Sequence, residues 1–312
     1  MKKNERIKIG AVICAYNNKE NLKKLVTLLL SQSYPLEEII IIDNASSDGT
    51  SEMIRKEFPH VTLFSNSINL GVGGGYAQGM DYAYKKNYEW IWLLDGDSLP
   101  TNSSLEELVK AFVNFKTIYP KIGILASLPI DPFTKKMDVG ALWRNRFIKI
   151  PIEFHSLKNP ISIDTTISSG SLINKEVIKE IGLPRSDFFM DFIDHEYNFR
   201  IRKTGYQILR VFSSIIYHRL GRNKKIRFFC FKIIFPIHPP WRWYYMTRNE
   251  LYTYLYEFPN FKTFFFYLYK KLKYILFIIL FYPQKIERLK YIFLGIKDGL
   301  KGYLGKNNSI YR

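Results

Sequence analysis

Asp95-Gly96-Asp97 places two carboxylates one residue apart at the end of an apolar run, Trp90-Ile91-Trp92-Leu93-Leu94. Side chains at i and i+2 of an extended segment point the same way, so Asp95 and Asp97 can converge on one point just past a buried strand. Two convergent hard oxygen ligands suit a divalent cation, Mn²⁺ or Mg²⁺. A simple Asp-Gly-Asp turn accounts for the same three residues, because Asp and Gly are turn formers. The elements around them decide between the two readings.

Those elements alternate. Residues 7–15 form a β-rich run, followed by the loop Tyr16-Asn17-Asn18 and a segment with Leu22, Leu25, Val26, Leu29 and Leu30 at helical spacing. Asn17 or Asn18 suits its N-cap, as Ser47 or Asp48 suits the cap of a helix running to about Phe58. Glu38 to Asp43 reads as a second strand whose interior, Ile39 to Ile42, is uniformly apolar, as a parallel strand buried on both faces is. Val61 to Phe64 reads as a third strand, Asn66 to Gly75 as a glycine-rich loop, and Tyr76 to Lys86 as a helix. The pattern predicts an α/β fold with a mainly parallel central sheet flanked by helices. In such sheets ligands sit at the carboxyl ends of the strands. Ala15-Tyr16-Asn17, Asp43, Asn69-Leu70-Gly71 and Asp95/Asp97 all lie at such ends. The glycines fit neither G-x-G-x-x-G nor a P-loop, so nothing favours NAD or ATP.

Farther on, Ile122 to Leu128 and Thr166 to Ile173 read as strands, with an irregular stretch over 129–165 between them. A second group of acids follows in Asp191-Phe192-Ile193-Asp194-His195-Glu196. From Asp194 onward this reads as a helix with acids at its positive end and basic residues further along. Val211 to Tyr217 is a strand that ends in His218. On residue type alone His218 is a core or surface histidine as readily as a ligand.

Cys14 and Cys230 are the two cysteines, too few and too far apart for a disulfide framework, and no zinc spacing is present. A reducing cytoplasm is expected. The N-terminus reads as a charged lead into the first strand, not a signal peptide. The longest apolar stretch elsewhere, Tyr274 to Tyr282, is too short to span a bilayer. Net charge is +18, which implies an anionic partner. That charge and the aromatics make a basic nucleic-acid- or membrane-binding protein without catalysis the competing reading, but no RNP, KH or helix-turn-helix signal is present, so no nucleic-acid partner is expected.

Together these segments resemble the inverting family 2 glycosyltransferases of GT-A fold over residues 7–250, and among them bacterial rhamnosyltransferases, with galactofuranosyltransferases as neighbours. The resemblance is carried by Ala15-Tyr16-Asn17, Asp43-Asn44-x-Ser-x-Asp48-Gly49-Thr50, Asn69-Leu70-Gly71, Leu94-Asp95-Gly96-Asp97, Ser168-Ser169-Gly170-Ser171, Asp191-x-x-Asp194-x-Glu196 and His218. It implies a nucleotide-sugar donor, dTDP- or UDP-linked, with dTDP-L-rhamnose foremost. Asp43 would accept from the N3–H of the base, and Tyr16 and Asn17 would wall base and ribose. Asp95, Asp97 and His218 would hold the metal, and Asp194 would be the catalytic base, or Asp191 in its place. The acceptor would be a glycan or lipid-linked glycan at the inner face of the cell membrane.

Residues 1–223 are accordingly expected to be the catalytic domain and 224–312 a helical C-terminal region. In the latter, the related enzymes have a segment similar to Tyr244-Tyr245-x-x-Arg248-Asn249. There Arg248 would approach the diphosphate or be a solvated helix residue. The stretch Phe264 to Phe277 is basic, aromatic and of helical spacing. Such a helix can lie on an anionic membrane surface, or pack as a terminal helix on the catalytic domain.

Overall fold

The computed structural model describes residues 6–150, 159–219, 222–228 and 231–311. Cys230 and part of the 129–165 stretch lie outside them. Two compact units are formed, one of Met1–Trp143, Phe147–Ser186 and Ile193–His218, the other of Arg144–Arg146, Asp187–Phe192 and Arg219–Arg312.

The first unit begins with β1 (Ile9–Ala15), α1 (Lys19–Leu30), β2 (Glu38–Asp43), α2 (Thr50–Glu57), β3 (Thr62–Ser65), α3 (Gly71–Lys85) and β4 (Trp90–Asp95). It continues with β5 (Leu99–Pro100), α4 (Ser104–Phe115), β6 (Ile122–Ile130), β7 (Ala141–Trp143), β8 (Phe147–Lys149) and β9 (Ile161–Ile163). It closes with β10 (Ser171–Asn174), α5 (Lys175–Ile181), α6 (Ile193–Lys203) and β11 (Gln207–Tyr217). The sheet order is β3-β2-β1-β4-β10-β6-β11-β5, with β9 also on β11. Neighbours β3, β2, β1 and β4 run parallel, as do β6 and β11, while β10 is antiparallel to both β4 and β6.

Period-two alternation sorts the strand side chains into two layers. Ile13, Trp92 and Leu94 pack with Leu22, Leu25 and Leu29 of α1 and with Leu105 and Leu108 of α4. Val12, Ile42, Ile91 and Leu93 pack on the other face with Tyr76, Met80 and Ala83 of α3. Helices thus cover both faces of the sheet, as uniformly apolar strands require.

The glycine-rich segment differs from expectation, because α3 already begins at Gly71. The glycines after it are needed for close approach, not for a loop. A Cβ on Gly75 would lie 2.6 Å from Cys14 Sγ on β1, one on Gly73 would lie 2.5 Å from the Arg185 carbonyl, and one on Gly79 would collide with Val12. Burial raises the Cys14 thiol far above its usual pKa, so it stays an inert, protonated core residue.

The second unit opens with a hairpin, β12 (Arg222–Phe228) and β13 (Phe231–Ile237), ahead of helices α7 (Arg242–Tyr252), α8 (Phe261–Phe281) and α9 (Lys285–Lys301). Gly295 and Gly299 let α9 lie against α7, since a Cβ at Gly295 would meet the Tyr244 carbonyl at 2.6 Å. Arg248 is neither solvated nor turned to a phosphate. It is buried, donates to the carbonyls of Gly305 and Phe188, and lies over the Tyr244 and Tyr245 rings. No described helix is long and apolar enough to cross a membrane.

Candidate active site

Parallel neighbours bring their carboxyl ends to one edge. In register, Ala15 of β1 faces Asp43 of β2, and Cys14 faces Asp95 of β4. The loops leaving these ends carry the polar residues.

Asp95, Asp97 and His218 come together there, each offering a ligand atom within 4.8 Å of the others. His218 Nε2 stands 3.6 Å from Asp95 Oδ2 and Nδ1 3.5 Å from Asp97 Oδ1. The imidazole is fixed at the end of β11, with its backbone N–H donating to the Ile130 carbonyl and Nδ1 2.9 Å from Ser98 Oγ. Asp95 accepts from the Tyr76 hydroxyl at 2.7 Å, and its backbone N–H donates to Ser169 Oγ at 3.1 Å. Ser169 Oγ and Ser98 Oγ are 2.5 Å apart. Ser168-Ser169-Gly170-Ser171 is therefore the loop that ties the start of β10 to the end of β4, with the Gly170 N–H on the Leu93 carbonyl at 2.8 Å. A Cβ on Gly96 would lie 2.2 Å from the Asn18 side-chain amide, so Asn18 would have to move to admit one.

Two carboxylates and an imidazole with converging ligand atoms form a donor set that fits a divalent cation, Mn²⁺ more readily than Mg²⁺ because of the imidazole. The two carboxyl side chains are about a third or more exposed, 34% and 41%, so the set opens to solvent.

Beside this cluster the loops after β1 and β2 brace each other. Asn17 has left-handed φ (47°), its Oδ1 accepts from Ser47 N at 2.8 Å, and its own N–H donates to Ser46 Oγ at 2.9 Å. Asp48 accepts from the first backbone N–H of α1, at Lys19 (3.0 Å), and of α2, at Thr50 (3.1 Å). Burial raises its pKa, but the bonds from Thr50 and Lys19 outweigh that and hold the carboxyl below its ordinary value. One aspartate thus serves both helix starts, whereas Asn18 makes no side-chain cap. Asp43 is buried, with Oδ1 accepting from Ser46 N at 3.1 Å and Oδ2 from the Ser51 hydroxyl. Gly71, at φ +73°, donates its N–H to Asn69 Oδ1 at 2.7 Å and accepts from Asn44 Nδ2 at 2.9 Å. Tyr16 is 43% exposed beside them.

The two acids of the later segment separate. Asp194 lies in the first turn of α6, half-buried, with Oδ1 accepting from His195 N at 2.9 Å. Asp191 belongs to the second unit, where the Arg242 guanidinium engages both its oxygens at 2.8–3.1 Å. Glu196 is fully buried and paired with Arg200 at 2.6 Å. Tyr76, Asn18, Ser98 and Ser169 were not among the residues predicted for the site. Ser98 directly follows Asp97 and Asn18 follows Asn17, whereas Tyr76 and Ser169 come from remote parts of the chain, where only the Ser-Ser-Gly-Ser string gave a signal.

The sequence profile of glycosyl transferase family 2 matches residues 11–182, the part of the chain that runs from β1 to the end of α5. The chain belongs to glycosyl transferase family 2. A dTDP-rhamnosyl transferase of Shigella flexneri is 26% identical over 242 residues, 77% of this chain and 78% of its own. A galactofuranosyltransferase of Mycolicibacterium smegmatis is 20% identical over 219 residues, 69% of this chain and 72% of its own. A mannosyltransferase of Pyrobaculum calidifontis, solved with GDP-Man and Mn²⁺, superposes with a TM-score of 0.55 at 13% identity, covering 96% of this chain and 76% of that one. That likeness shows the fold, which is GT-A.

Proposed function

We propose that this family 2 glycosyltransferase is a metal-dependent inverting enzyme that moves L-rhamnose from dTDP-rhamnose to a lipid-linked or growing bacterial surface polysaccharide. The observation that carries the metal-dependent donor site is the convergence of Asp95, Asp97 and His218 at the carboxyl edge of the sheet. The rhamnosyl donor is supported by the Shigella flexneri relative. A galactofuranosyl or other UDP-hexose transfer is the second reading, supported by the Mycolicibacterium smegmatis relative.

In this reading Asp95, Asp97 and His218 hold Mn²⁺ or Mg²⁺, which when bound neutralises negative charge on the donor diphosphate. Ala15, Tyr16, Asn17, Asp43, Asn69 and Gly71 form the nucleotide side of the site, with Asp43 facing the base. Asp194 is the base. It takes the proton of the acceptor hydroxyl as that oxygen bonds to the anomeric carbon, while the bond from that carbon to the diphosphate breaks with its electrons on the leaving oxygen. One displacement inverts the centre and requires no second catalytic carboxylate. The Arg242 pair gives Asp191 a structural task instead. The first unit is taken as the catalytic domain. The second is taken as the contact with an anionic membrane surface, on the inner face of the cell membrane where a lipid-linked acceptor is presented.

Turnover with a panel of dTDP- and UDP-sugars tests the donor. Transfer from dTDP-rhamnose alone is expected. Transfer from UDP-galactofuranose alone would move the protein to the second reading.

A further inference from the structure

Helix α8 carries apolar side chains on its exposed face as well as on its buried one, and buries a lysine. Lys271 is buried, 5% exposed, and pairs with Glu250 of α7 at 3.2 Å, while Lys270 pairs with the same carboxylate at 2.8 Å. Thr263, Tyr267 and Ile278 are buried on the same face as Lys271. The opposite face carries Phe261, Phe265, Leu268, Leu272, Leu276 and Ile279, spaced by three and four residues and 40–76% exposed. A helix folding only against water would turn these six inward and the lysine outward. Burial raises the Glu250 pKa, but Lys271 and Lys270 more than offset this and hold it down at about 2, so the carboxylate stays charged and the rotation of α8 is fixed. The stripe runs for about 27 Å along the helix axis.

What covers the stripe is indicated by charge. Residues 219–312 hold nineteen Lys and Arg against four Asp and Glu. Lys262 and Lys273 are exposed and border the stripe. On α9 of the same unit, exposed Lys290 and Lys297 alternate with Ile286, Phe293 and Leu300. A second copy of this chain docked on the stripe would set these lysines against each other, which disfavours self-association. An anionic lipid surface satisfies both features, because aromatic and leucyl side chains enter the acyl boundary while lysine ammonium groups stay with the headgroups.

We infer that the Phe261-to-Ile279 face of α8 is a membrane-docking surface that lies in the interface of an anionic bilayer, parallel to it. This deepens the membrane contact proposed above and rests on that reading. The test is cosedimentation of the full chain with vesicles of phosphatidylcholine alone or mixed with phosphatidylglycerol. Wild type should pellet with the mixed vesicles and less with the neutral ones. Leu272→Glu combined with Leu276→Glu, both at exposed positions, should weaken the pelleting at least about tenfold, since burying a leucine is worth about 1.5 kcal/mol or more. Nucleotide binding by the same preparations without vesicles reports folding, and reports the transferase reading separately. Equal pelleting of wild type and the double variant overturns the assignment, as does no binding to mixed vesicles. Light scattering that shows a wild-type dimer, lost in the variant with vesicle binding unchanged, would make the stripe a contact between copies instead.

Discussion

Tyr76 donates its hydroxyl to Asp95 Oδ1 at 2.7 Å from the floor of α3, so the carboxylate that ends β4 is aimed by a helix that precedes it in the chain. Burial first, and the Asp95 charge second, raise the phenol pKa well above its ordinary value. The hydroxyl therefore remains a donor at every working pH. Tyr76→Phe should weaken Mn²⁺-dependent nucleotide binding about tenfold with no new pH dependence, because partners that orient metal ligands contribute on that scale. Calorimetry of nucleoside diphosphate with Mn²⁺ measures it.

The two acids of the α6 region should separate by kinetics. Asp194→Asn is expected to lower kcat by about 10²–10⁴ with donor binding intact, the usual cost of removing a general base. Asp191→Asn weakens the pair with Arg242 and, because that guanidinium is 40% exposed, should cost about 1 kcal/mol or less of stability while kcat stays within a few fold. A large kcat loss in the Asp191 variant with an active Asp194 variant would exchange their roles.

Asp48 gives a pH signature. Its folded carboxyl titrates below the ordinary value, so its stabilising contribution is fully present above the unfolded pKa of about 3.9 and is lost as pH falls through the folded one. Asp48→Ala should lower stability at neutral pH by about 1–2 kcal/mol, the loss of two helix starts. The difference from wild type should shrink as the urea midpoint is followed from neutral into acid. A difference that grows in acid would contradict the assignment.

The helix–strand alternation and the Asp95/Asp97 convergence were legible because periodicity and strand-end geometry are local properties. The glycines after Gly71 were not, since a Gly-rich string reads as loop, whereas here tight packing of α3 on β1 overrides propensity. Nothing local marks β10 as antiparallel, because strand direction is set by the connections over 129–170. Arg248 read as a diphosphate contact or a solvated helix residue, and Lys271 only as part of the basic stretch Phe264 to Phe277, because sequence does not show the buried carbonyls of Phe188 and Gly305 or the carboxylate of Glu250 that receive them.

The most direct test of the central claim is the affinity for dTDP, with turnover of dTDP-rhamnose, measured with Mn²⁺, with EDTA, and in Asp97→Asn. The account predicts tight binding and transfer only with metal, and at least about tenfold weaker metal-dependent binding in the folded variant. Undiminished binding and turnover in EDTA, with Asp97→Asn as active as wild type, would contradict it.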